Sequence, residues 1–230
     1  MKHSHSTTAF SKHTKAELLQ VKNPVNQRLL KDFTHQVFSH QYQADIQEFL
    51  PNMLALLDKQ QHIHASVCFQ SAQGTKLHLE HYLAHSIEHC IARHMAIQTP
   101  DRNSILEVGN LASQNSGSTR RLIIGLANHF YQQNFKWLVI TATPQVINSF
   151  EKLSLQASIH SLADASPDAV ASTPNHWGSY YQQAPSVYAI DIEAGLKHLH
   201  SNAVFSRMLT RTGPVVCDDN IFLQTAEASS

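Results

Sequence analysis

The chain has 230 residues, 42% of them hydrophobic, enough for one sizeable buried core. Seventeen Lys and Arg balance seventeen Asp and Glu, so no net field draws the protein to nucleic acid or to an anionic membrane. No apolar run reaches the roughly 18 residues of a membrane-spanning helix, and residues 1–23 lack the apolar centre of a secretory signal. Cys68, Cys90 and Cys217 are widely spaced without a CxxC and read as free thiols of a reducing cytoplasm.

Residues 1–15 are polar, rich in His, Ser and Thr, and read as a disordered tail preceding one domain over residues 16–211. Glu17–Lys22 is a short first strand. Across Asn26–Tyr42, Leu29, Leu30, Phe33, Val37 and Phe38 recur near every 3.6 residues and predict a helix. Phe49–Leu57 and Ile63–Phe69, joined by Asp58-Lys59-Gln60-Gln61, have the pattern of an antiparallel hairpin. Leu77–Tyr82 follows, then a helix from Leu83 to Ile97. That helix carries His85-Ser86-Ile87-Glu88-His89, formally an HxxEH zinc-protease string. His81 and His94 lie close by, but histidine is abundant, 17 of 230 residues, and no convincing distal carboxylate ligand is marked. The reading taken is an amphipathic helix turning Leu83, Ile87, Ile91 and Met95 inward, with no metal.

Ser104–Thr143 is the stretch that organises the rest. Ser104–Ala112 and Lys136–Ala142 are apolar runs expected as parallel strands, and Thr119–Gln133 between them turns Leu122, Ile123, Leu126 and Phe130 to one helix face. Gly109 inside the first strand marks a bulge or a close backbone approach. Glu107 is a carboxylate in an apolar strand, which needs a task or a partner: a general base, or a salt bridge to Arg93 or Arg102. The chain turns at Gly117, with Ser118 or Thr119 as cap. Arg120 and Arg121 in the first turn oppose the helix dipole, which suits a phosphate or pyrophosphate held at Ser116–Arg121; otherwise both arginines point into water.

Thr143 and Pro144 start the next helix, with Val146, Ile147, Phe150 and Leu153 as its apolar face. Ala157–Ala163 is a strand and Pro167–Ala171 a helical turn. Asn175–Ala184, with Trp177, Tyr180 and Tyr181, reads as a loop closing over a pocket or as packing anchors. Val187–Ile192 is the last strand, a helix runs on to Leu209, and residues 212–230 read as a C-terminal tail.

Gln114-Asn115-Ser116-Gly117-Ser118-Thr119 resembles the pyrophosphate loop of the GNAT acyltransferase superfamily, Gln/Arg-x-x-Gly-x-Gly/Ala, with Thr119 in place of the final small residue. The longer string resembles the thermostable hemolysin family, whose GNAT-like core is similar to acyl-homoserine-lactone synthases. It comprises Glu107-Val108-Gly109-Asn110-Leu111-Ala112, Gly117, Arg120, Trp137, Thr141-Ala142-Thr143, Asn148, Ala163-Asp164, Trp177-Gly178 and Tyr180-Tyr181. The resemblance implies an α/β fold with a mixed, partly splayed sheet flanked by helices. It implies acyl-CoA or an acyl-phosphopantetheine carrier protein as donor, held by the loop with Arg120, Arg121, Thr141 and Asn148; Asn148 otherwise faces solvent. Glu107 and Asn110 stand at the chemistry. Phe33, Phe38 and Tyr42 wall the acceptor site or serve as core. The synthases carry Glu-x-x-Arg where this chain has Glu107-x-x-Asn110, so a different acceptor is expected. The late-helix tyrosine that many GNAT enzymes use as general acid has no counterpart; Tyr180, Tyr181 or water can substitute.

Three functions follow from this. The first is transfer of an acyl group from a CoA or carrier-protein thioester to a small amine. The second is membrane lysis, direct or through an acylated surface-active product. The third is a non-catalytic acyl-CoA-binding module.

Overall fold

The computed structural model describes residues 17–169, 174–211, 215–218 and 223. The expected tail over residues 1–15 lies outside them. Eight strands form one sheet in the order β6-β7-β5-β4-β3-β2-β1-β8. Strand β1 is Glu17–Val21, and helix α1 spans Pro24–Tyr42. The Asn23 side chain caps α1 by accepting from the Val25 N–H, with Pro24 at the first helical position. The helix ends where Gln43 turns left-handed at φ 53°.

Strands β2 (Asn52–Leu57) and β3 (Ile63–Ser71) make the expected hairpin, and β1 pairs antiparallel to β2. Helix α2 is shorter than the sequence pattern suggested, Ile87–Met95, because 78–82 is a separate short turn and Leu83 lies outside the helix. Strand β4 (Ile105–Ser113), helix α3 (Ser116–Gln132) and strand β5 (Trp137–Ala142) are the central crossover, with β4 and β5 parallel as expected. Helix α4 (Pro144–Glu151), β6 (Ile159–Asp164) and β7 (Ser186–Asp191) follow, β7 lying antiparallel between β5 and β6.

The last helical stretch is two helices, α5 (Ile192–Ser201) and α6 (Ala203–Arg211). Asn202 separates them, its side chain accepting from the Val204 N–H. The region expected as a tail after residue 212 contains β8, Val216–Cys217, parallel to β1 at the sheet edge. Asp218 explains that edge. Its buried carboxylate accepts from Lys22 N–H at 2.8 Å, Asn23 N–H at 3.1 Å and Asn26 Nδ2 at 2.9 Å. Nothing in the apolar periodicity of this segment signals such a polar anchor.

Strand alternation divides the core. Leu106, Val108, Leu138 and Ile140 pack with Leu122, Phe130 and Leu196 on one face, while Ile105, Trp137 and Val139 pack with Ile87 and Ile91 on the other. A third cluster joins α1 to β1–β3 and to Tyr180. Glu107 shares the face of Ile105, and burying it there requires partners.

Candidate active site

Parallel pairing of β4 with β5 runs from Ile105–Trp137 to Val108–Ile140 and stops. Beyond it β4 stays with β3 and β5 stays with β7. Between Gly109 and Ala112 the β4 register slips, so that Val67 faces both Asn110 and Leu111. The bulge therefore falls one residue past Gly109. Asn110 takes φ 49°, a left-handed angle that asparagine tolerates. Its side chain fixes that angle from both ends, Nδ2 donating to the Glu48 carbonyl and Oδ1 accepting from the Leu50 N–H.

The separated strands open a groove made of two cavities that share Tyr42, Leu111 and Val146 in their walls. The inner cavity, about 110 Å³, lies between Gly109–Leu111 and Thr141–Thr143 and reaches Glu107. Phe38, Tyr42, Trp177, Tyr180 and Tyr181 close it with their rings. The outer cavity, about 750 Å³, lies at the start of α3 and is walled by Gln114, Asn115, Ser116, Thr119, Asn148 and Lys152. Phe33, expected at the acceptor end, lines this outer cavity instead.

Glu107 is 4% exposed and meets three donors. Oε2 accepts from Gln70 Nε2 and from His78 N–H, both at 2.8 Å, and Oε1 accepts from Leu79 N–H at 2.9 Å. Gln70 stands directly opposite on β3, so sheet register supplies the first donor and the 78–82 turn the other two. Burial raises the carboxyl above its ordinary range while these donors pull the other way. A carboxylate has about four lone-pair positions, so one acceptor site remains, on Oε1. The salt-bridge alternative does not hold for Arg102, which pairs with Glu80 and Glu88, and Arg93 bonds His85.

The anion end differs in detail from the expectation. Helix α3 starts at Ser116, three residues earlier than expected, and its cap is Asn115, whose Oδ1 accepts from Ser118 N–H at 3.0 Å. Gly117 thus sits inside the first turn. Thr119 Oγ1 is 2.6 Å from Ser113 Oγ, tying the helix to the end of β4. Among the described residues, no partner is found for the Ser116 and Gly117 N–H groups, the ordinary state of a helix start. Gly117, Ser118, Arg120 and Arg121 do not line either cavity, and the two arginines stand one turn along the helix. Thr143 begins α4 but its side chain does not cap it, and its buried hydroxyl finds no hydrogen-bond partner among the described residues.

Tyr180 and Tyr181 are engaged. Tyr180 donates to the Thr141 carbonyl at 3.2 Å, and the Tyr181 and Tyr82 hydroxyls are 2.7 Å apart. Burial raises all three phenols. The HxxEH string lines neither cavity: Glu88 is taken by Arg102, His85 by Arg93, and His89 Nδ1 by Ser86 Oγ.

A family model for thermostable hemolysin matches residues 21–196. The chain belongs to the thermostable hemolysin family. No curated protein matches the chain by sequence. In fold, the chain is similar to FeeM, an N-acyl amino acid synthase from uncultured soil microbes, at TM-score 0.51 and 13% identity, covering 85% of this chain and 99% of that one. It is similar to the CoA-dependent acyl-homoserine lactone synthase BjaI, whose structure holds SAM and isopentyl-CoA, at TM-score 0.53 and 11% identity, over 91% and 96% of the two chains. The AHL synthase LasI aligns at TM-score 0.50 and 12% identity, over 79% and 91%. At these identities the likeness is one of fold, a mixed sheet flanked by helices as in GNAT-like acyltransferases. No helix among the described residues is long and apolar enough to cross a membrane.

Several groups in the groove escaped the sequence pattern. Lys152, just past the end of α4, and His40 of α1 reach the outer cavity, while Glu48, His78 and Tyr82 reach the inner one. Only His78 and Tyr82 share a segment, the 78–82 turn, so no local spacing groups the set. The Glu48 and Asn110 contact was hidden for the same reason.

Proposed function

We propose that this hemolysin-family protein is an N-acyltransferase that moves an acyl group from acyl-CoA, or from an acyl-phosphopantetheine carrier protein, to a small amine. One observation carries the reading: the β4–β5 splay joins a helix start with free N–H groups to a buried carboxylate through a single groove. The donor's phosphates would lie at Gln114–Thr119 with Lys152 and Asn148 beside them, where helix dipole and cation act together. Arg120 and Arg121, one turn along α3, would hold phosphates that extend beyond the cavity. The pantetheine arm would follow the gap between Leu111 and Thr141, bringing the thioester to the bulge.

Glu107 would take a proton from the attacking amine, its raised carboxyl making it a stronger base than an exposed glutamate. Asn110 is a positioning residue, since both ends of its amide are engaged. The departing thiolate takes its proton from water, because Tyr180 and Tyr181 hold their own protons tightly. The reaction would occur in the cytoplasm, where the free thiols of Cys68, Cys90 and Cys217 are at home.

Thermal-shift titration with CoA and acyl-CoAs tests the donor site. At about 100 times its dissociation constant a ligand adds roughly 2.7 kcal/mol of stability. Wild type is expected to shift, and Lys152→Glu and Arg120→Glu/Arg121→Glu to shift less. Absence of any shift with CoA, and of thiol release from an acyl-carrier protein, would defeat the reading.

A further inference from the structure

The two ends of the groove carry opposite charge. The outer cavity has Lys152, His40 and the α3 N-terminus. The inner cavity has Glu48 and Glu107, and neither lysine nor arginine occurs among the described residues that line it. Its one basic side chain is His78, whose Nε2 already lies 3.6 Å from Glu48 Oε2. Aromatic rings, those of Phe38, Tyr42, Tyr82, Trp177, Tyr180 and Tyr181 among them, share the remaining wall with aliphatic side chains and the backbone of β4 and β5. Carboxylates with the faces of aromatic rings are the equipment for recognising a cation. An acceptor with its own carboxylate would meet two like charges and no counter-ion, a juxtaposition that selects strongly against it.

We infer that the acceptor is a primary amine without a carboxylate, bound as its ammonium ion between Glu48 and Glu107 with its body against the aromatic wall. This rests on the acyl-transfer reading and specifies its substrate class. The cavity of about 110 Å³ is smaller than one of roughly 150 Å³ that holds benzene, so it encloses the ammonium end of a small amine while the rest of the acceptor extends into the open groove. The ammonium gives one proton to Glu107, and the free amine attacks the thioester carbonyl carbon. The N–C bond forms, the C–S bond breaks with its electron pair leaving on sulfur, and the second nitrogen proton departs as the adduct collapses. An ammonium ion and a thioester thus give an amide, a thiol and one proton.

Matched acceptors that differ only in the carboxylate test this: tyramine against tyrosine, and phenethylamine against phenylalanine. Octanoyl-CoA and an octanoylated carrier protein serve as donors, amide is measured by mass spectrometry, and each acceptor alone is also assayed by thermal shift. The amines are expected to be acylated with kcat/KM about 100-fold or more above their amino acid partners, and to stabilise the protein where the amino acids do not. Glu48→Arg, at a position 60% exposed, is expected to narrow that ratio at least about tenfold by supplying the missing counter-ion. Amino acids acylated as well as the amines would overturn the inference. So would CoA stabilisation with no amine bound or acylated, an outcome that leaves the thioester site standing. No CoA binding and no amide with either donor would remove the acyl-transfer reading itself, and this inference with it.

Discussion

The hydroxyl of Tyr180 donates to the carbonyl oxygen of Thr141 at 3.2 Å, at the place where β5 has parted from β4. A separated strand leaves main-chain groups that water or side chains must satisfy. Tyr180, in the 174–184 segment, does this from across the groove, and its ring stacks on Phe38 of α1 with centroids 6.3 Å apart. The aromatic wall therefore helps hold the splay open as well as closing the inner cavity.

Tyr180→Phe keeps the ring and removes the donor. We expect a loss of about 1–3 kcal/mol in denaturant unfolding, because a buried carbonyl loses its partner. Acyl transfer is expected to persist within about tenfold. A collapse of kcat by several orders of magnitude would instead make Tyr180 the general acid.

Glu107→Gln separates base from scaffold. A glutamine offers one acceptor oxygen to donors that now meet two, so the stability loss is expected to be about 1–3 kcal/mol. CoA-induced stabilisation is expected to remain, while kcat falls by about 10²–10⁴. In wild type, acyl transfer is expected to be lost as pH falls and Glu107 is protonated. Because burial raises this carboxyl, the acid limb of the pH–rate profile is expected above the ordinary glutamate range. A limb at or below pH 4.5, or unchanged turnover in the variant, would remove Glu107 from the chemistry.

Gly178 is the tightest glycine in the fold. It sits at φ 49°, and an added Cβ would lie 2.1 Å from the Tyr42 carbonyl oxygen and 2.6 Å from the Gln43 carbonyl carbon. Neighbouring Ser179 N–H donates to the same Tyr42 oxygen at 2.7 Å, which fixes how close the segment comes to the end of α1. Gly178→Ala is expected to cost about 2–4 kcal/mol and to shift the fluorescence of Trp177, since neither backbone can yield without undoing the other. An unchanged melting temperature would contradict this packing.

Glu80 gives a pH signature away from the groove. Burial disfavours its charge, but Arg102 and the N–H groups of Leu77 and Ile87 outweigh burial and hold the carboxyl down at about 2. The folded value lies below the unfolded one, so this stabilisation is present above about pH 4.5 and fades as pH falls toward 2. Wild type is therefore expected to lose on the order of 2 kcal/mol over that window, and Glu80→Gln to show a flatter acid limb. Parallel limbs in the two proteins would show that Glu80 carries no such linkage.

The sequence by itself determined the central crossover, because alternation and helical periodicity are local properties. Leu106, Val108, Leu138 and Ile140 fall on one face by period two, and Leu122, Leu126 and Phe130 on one helix face by period 3.6. It also marked Glu107, since a carboxylate in an apolar strand stands out, and it carried the family resemblance. What only the tertiary structure decided are relations between distant segments. The bulge fell on Asn110 rather than Gly109 because Glu48 and Leu50 supply partners for an asparagine side chain. Asn115 capped α3 because its side chain could reach Ser118 N–H, one residue choice among several good caps. Val216–Cys217 joined the sheet because Asp218 meets Lys22, Asn23 and Asn26 nearly two hundred positions earlier. The charge of the groove's two ends was set in the same way, by Lys152 and His40 at one and Glu48 and Glu107 at the other. Hydrophobic period is written along the chain, whereas the partner of a buried polar group is chosen across it.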